Sequence, residues 1–107
     1  MGTPPAAGRL KGYWIAHIDV SDVEGYKAYQ ADVATPFGTF GGRYLIRGGR
    51  CEVMEGRMPA RTVVVEFPGY EAALACYRSP EYQRSIALRN GHAEANIVAI
   101  EAFDPAQ

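Results

Sequence analysis

The chain is 107 residues long, 48% hydrophobic and 21% charged, with a formal net charge of −1. That length accommodates one domain, and the composition is that of a folded chain rather than a disordered one. With its arginines dispersed among acids, the sequence offers no basic surface for nucleic acid and no electrostatic pull toward an anionic membrane.

Residues 1–10, rich in Pro, Gly and Ala, read as a flexible leader and lack the apolar centre of a signal peptide. No stretch approaches the roughly 18 apolar residues that a membrane helix needs, so the expected setting is the cytoplasm. One domain is expected over residues 11–104, with a short tail at 105–107. "YWIAHIDV" (13–20) mixes aromatic and β-branched residues and predicts the first strand. In "SDVE", Ser21 suits a helix cap and Glu24, three residues on, completes a capping box. Tyr26, Tyr29, Val33, Phe37 and Phe40 then recur at steps of three and four, a helical stripe best read as core. Pro36 interrupts it and predicts a kink or a second short turn after Thr35.

"GGRYLIRGGR" (41–50) places a strand at 43–47 between two glycine pairs. A phosphate-cradling loop needs glycines that lead straight into a helix N-terminus; these flank a strand, and so read as turns. "CEVME" (51–55) is expected to be a short extension or hairpin partner, and "RTVVVEF" (61–67) a strand. Beyond Pro68–Gly69, the spacing of Tyr70, Ala73, Leu74 and Tyr77 predicts a helix. Ser79 and Pro80 suit the N-cap and first position of the next helix, which Asn90–Gly91 ends. "NIVAIEAF" (96–103) is the last strand. The order β-α-β-(β)-β-α-β predicts an α+β, ferredoxin-like βαββαβ fold with an antiparallel sheet.

In that plan both helical segments cover one face of the sheet. Side-chain alternation assigns Trp14, Ala16, Ile18, Val20, Tyr44, Ile46, Val63, Val65, Phe67, Val98 and Ile100 to the covered face. The open face then carries Tyr13, Ile15, His17 and Asp19; Arg43, Leu45 and Arg47; Thr62, Val64 and Glu66; and Ile97, Ala99 and Glu101. Its apolar members make a patch of roughly a few hundred Å², the size of an interaction surface. At about 25 cal/mol per Å², covering it contributes several kcal/mol before association costs, so a homodimer paired through sheet faces is expected. Cys51 and Cys76 form no CxxC and have no histidine at ligand spacing; free thiols and no metal site are expected.

"GYWIAHIDVSDVEGYKAY", "GGRYLIRGGRCEVMEG", "VVVEFPGYEAALACYRSPEYQ" and "IVAIEAF" together resemble an uncharacterised, domain-of-unknown-function family of short bacterial proteins in the dimeric α/β-barrel superfamily. The resemblance runs over about residues 11–103, and "RGG", "EFP" and "YRSPEYQ" carry it in combination. It implies a ferredoxin-like fold whose sheets pair into a barrel, and it implies no particular activity. Relatives in the superfamily include cofactor-independent monooxygenases, lactone isomerases, haem-dependent enzymes and ligand-sensing modules.

Four residues of the open face stand out as candidates for a pocket between that face and nearby helical elements: Arg47, Tyr13, His17 and Glu66. Arg47 can hold a carboxylate or enolate through paired donors, or form a salt bridge with Glu66 or Glu101. His17 is able to carry a proton, and a desolvated Glu66 can act as a base; each can equally be a packing or ion-pair residue. Tyr13 and Asp19 flank His17 as possible orienting groups. The expected ligand is a small, partly apolar or anionic organic molecule. Three readings stay open: a cofactor-free isomerase or oxygenase with His17 or Glu66 as base, a ligand-binding module without turnover, and a structural dimer with no cavity.

Overall fold

β1 (Gly12–Val20) runs through the middle of the sheet and pairs antiparallel on both sides, with β3 (Arg61–Phe67) and with β4 (Ala93–Glu101). β2 (Arg43–Arg47) adds to the outer side of β3, giving the order β2-β3-β1-β4. The computed structural model describes residues 10–106; the expected leader, apart from a buried Leu10, lies outside these.

α1 (Val23–Asp32) starts at Asp22, whose carboxylate accepts the Gly25 amide at 3.1 Å. Ser21, the expected cap, instead gives its hydroxyl to the His92 carbonyl at 3.1 Å and so ties the end of β1 to the start of β4. The helix breaks at Val33 and resumes as α2 (Ala34–Thr39), with Pro36 in the first turn, where its missing amide costs no intrahelical bond. α3 (Tyr70–Arg78) and α4 (Pro80–Arg89) are joined by Ser79, which caps α4 by accepting the Tyr82 amide at 3.1 Å and donates to the Cys76 carbonyl at 2.7 Å. Pro80 occupies the first helical position, as its fixed φ favours. Residues 48–60 link β2 to β3 without regular structure, so the expected extension at 51–55 is not a strand.

All four helices lie on one face, over a core centred on Trp14. Its indole N–H donates to the Ala73 carbonyl at 2.8 Å, and its ring meets Phe37 and Tyr82 edge-on at 5.2 and 4.9 Å. Tyr26, Tyr29, Val33 and Phe37 of the expected stripe are buried here.

Strand parity holds for β1 and β3 and fails for β2 and β4. In β4 the register sets Ile97 beside Ala16 and Ala99 beside Trp14, so Ala95, Ile97 and Ala99 face the helices. Val98 and Ile100, expected inside, are 55% and 49% exposed on the open face. The alternation was ambiguous because both sets are apolar; the small residues take the side on which α3 lies close. In β2 a bulge falls between Tyr44 and Ile46. An extra residue reverses every side chain after it, so Ile46 joins Val64 on the open face and Arg47 joins Val63 under the helices.

Replacing Ser79 by Ala removes a buried cap, and in urea unfolding we expect a loss of about 1 kcal/mol. The midpoint should fall with an unchanged slope.

Candidate functional site

The bulge decides where the arginine chemistry sits. Turned under the helices, Arg47 lines a cavity between the sheet and α1–α2, together with Arg61, Gln30, Tyr26, Tyr29 and Tyr44 above an apolar floor that includes Trp14, Ala16 and Ile18. The cavity has a volume of about 30 Å³, space for one or two waters. Arg47, exposed at its outer end, stacks on the Tyr44 ring with Cζ 4.8 Å from the ring centre. Arg61 begins β3 opposite Ile18, and its Cζ lies 5.8 Å from the centre of the Tyr26 ring.

Arg61 Nε is buried and meets no hydrogen-bond partner among the described residues. An orphaned buried donor costs about 1–3 kcal/mol, and more when charged. Space for the guanidinium comes from Gly48, whose positive φ of 67° suits glycine and where a Cβ would strike the Arg61 side chain. Burial raises the pKa values of Tyr26, Tyr29 and Tyr44, so these phenols stay protonated at neutral pH. The polar wall therefore presents donors and fixed positive charge, and it contains no carboxylate, imidazole or amine.

Of the four expected pocket residues, only Arg47 reaches this cavity. Tyr13, His17 and Glu66 lie on the opposite face, with the sheet between them and the arginines. There Glu66 accepts from Arg43 Nε at 2.8 Å and from the Tyr13 hydroxyl at 3.1 Å. The salt bridge to Glu66 that was one alternative for Arg47 is made by Arg43 instead, because Arg43 precedes the bulge and stays in register with Glu66. These contacts, the Arg43 hydrogen bond foremost, hold the Glu66 carboxyl below its ordinary value, the reverse of what a general base needs at neutral pH. Burial and the bond to Glu66 raise the pKa of Tyr13. His17 Nδ1 lies 3.1 Å from the Thr62 hydroxyl. Cys76 is buried, which pushes its thiol up to about 12 and leaves it inert.

Arg61 and Gln30 were missed in the sequence. A signal existed for Arg61, since it shares the parity of Val63, Val65 and Phe67. Gln30 adjoins the Tyr26–Tyr29–Val33 stripe and carried no comparable mark.

The connection of four antiparallel strands with helices on one face defines a ferredoxin-like α+β fold. The chain belongs to the family described as Domain of unknown function (DUF1330), whose model matches residues 11–103. A crystal structure of RPA0582, a protein of unknown function from Rhodopseudomonas palustris, superposes with a TM-score of 0.68 at 18% identity, covering 91% of this chain and 85% of that one. SnoaB, a cofactor-independent oxygenase from Streptomyces nogalater, superposes with a TM-score of 0.58 at 11% identity, covering 88% and 94%. No functionally curated protein matches the chain.

Because the Glu66 pKa is lowered by folding, its contribution to stability is complete above the ordinary value near 4.5 and is lost as pH falls through the depressed native value. Glu66→Gln should flatten the fall in thermal midpoint below pH 4.5 that the native protein shows. An unchanged acid limb in a melting series would contradict this.

Proposed function

We propose that the protein is a homodimer that binds a small, partly apolar carboxylate in the cavity between the sheet and α1–α2. Arg61 would take the carboxylate, with Arg47 closing over it. The observation that carries this reading is the buried, unpartnered Nε of Arg61, a residue that lines a mostly apolar cavity together with Arg47. A carboxylate oxygen satisfies that donor, and a guanidinium offers two parallel bonds in the right plane. The apolar floor suits a hydrophobic body on the ligand; the space present, about 30 Å³, holds only one or two waters, so a ligand the size of benzoate requires the exposed Arg47 to swing away from Tyr44 and the cavity to widen.

A base is missing from the cavity wall, so the reading is one of binding rather than of proton abstraction by His17 or Glu66. The same donors favour a ligand acidic enough to enter already ionised as an enolate, its proton left to solvent, which is the form cofactor-free oxygenation needs; SnoaB, of similar fold, is a cofactor-independent oxygenase. Oxygen consumption in the presence of a bound ligand separates this second reading from simple binding. The homodimer rests on the open face: Ile46, Val98 and Ile100 project from it, each about half exposed, beside Ile15 and Val64.

Two measurements test these proposals. Benzoate at 100 times its Kd should stabilise the protein by about 2.7 kcal/mol, a rise in Tm on the order of 10 °C. Arg61→Leu should abolish that rise while leaving the ligand-free protein at least as stable, because it removes a buried donor that has no partner; a structural arginine would show the opposite. Val98→Asp should convert a dimer into a monomer in sedimentation velocity at micromolar concentration, and a native protein that sediments as a monomer there contradicts the homodimer.

A further inference from the structure

Arg47 ends β2 and Arg61 begins β3, so the two arginines of the cavity are the two ends of one connection, residues 48–60. Connections in compact domains are commonly about 4–6 residues, and structureless ones beyond about 12 usually have a task. Among the described residues, 49–59 make no hydrogen bond to the rest of the chain. The arm nevertheless carries Met54 and Met58, 82% and 49% exposed, whose flexible thioethers suit an adaptable apolar contact. Its base is firm: the Gly48 amide donates to the Thr62 carbonyl at 2.8 Å, and the Gly48 backbone packs directly on the Arg61 guanidinium. A displacement of the arm therefore reaches Arg61 through a single residue.

We infer that this arm seats on the second copy in the homodimer and thereby fixes Arg47 and Arg61, so that assembly and anion binding are linked. The inference rests on both parts of the reading above. The occupant follows from area. Four strands about 4.8 Å apart and about seven residues long give a sheet face on the order of 450 Å² in plan. A standard interface needs about 800 Å² from each partner. In projection the face supplies about half of that, and the arm, which leaves directly from the edge strand of that face, is the neighbouring surface that extends it. Mixed charges along the arm (Arg50, Glu52, Glu55 and Arg57) suit contact with another copy of a nearly neutral chain. Linkage is reciprocal: the factor by which dimerisation tightens the anion is the factor by which the anion tightens the dimer.

The test uses the full chain carrying Met54→Asp and Met58→Asp together, both positions being exposed enough to spare the fold. Sedimentation velocity should show the dimer dissociation constant raised at least tenfold, and calorimetric titration with benzoate should show the Kd raised severalfold in the same variant. Saturating benzoate should tighten the native dimer, and Arg61→Leu should dimerise normally without ligand while losing the benzoate effect. A double variant that dimerises like the native protein overturns the inference, as does one that is monomeric yet binds benzoate with native affinity. A native monomer removes the homodimer itself, and a native dimer that ignores benzoate removes the anion site; these failures are distinguishable because each readout is taken separately.

Discussion

The helices cover only one face of the sheet, and nearly every other feature follows from that constraint. β1 makes it possible: paired on both sides, it holds Trp14, Ala16 and Ile18 under the helices and Tyr13, Ile15 and His17 on the far side. Trp14 then organises the covered side, anchored to α3 by its indole N–H and ringed by Phe37, Phe67, Tyr77 and Tyr82. Below the sheet, apolar and charged side chains share a surface that no element of the described residues covers. One face is a core with a small void in it, and the other is a surface suited to a partner.

Chemistry is divided between the two faces in the same way. Under the helices are the phenolic donors and Arg61 Nε, held where water is scarce and an unmet donor is costly, with the exposed Arg47 at their edge. On the open side, Glu66 is already satisfied by Arg43 and Tyr13, and its carboxyl is held acidic. A group so engaged has little capacity left for proton transfer. In the proposed reading, one side of the sheet holds an anion and the other builds an interface.

Much of this was legible in the residues. Ser79–Pro80 gave a capped helix start and Asn90–Gly91 a helix stop, because those positions impose local backbone demands that few other residues meet. The β1 and β3 alternations were also readable, each contrasting apolar with polar side chains. β4 was not: Ala95, Ile97 and Ala99 alternate with Asn96, Val98 and Ile100, and hydrophobicity alone does not say which set is inside. The closeness of α3, a tertiary fact, decides it. The bulge at β2 was invisible for a similar reason, since "RYLIR" has no glycine or other local mark within it, and one inserted residue carried Arg47 to the other side of the sheet. The candidate site therefore shifts to the covered face, and of the four residues expected in it only Arg47 goes with it.

The central claim is the placement of an anion against Arg61 Nε, and nuclear magnetic resonance reads that atom directly. The Nε–H of Arg61, shielded from solvent, should give a resolved cross-peak that shifts downfield and saturates as benzoate is added, with accompanying changes at Tyr26 and Tyr44. Saturating shifts confined to Tyr13, His17 and Thr62, with Arg61 unmoved, would place the ligand on the opposite face and contradict the account.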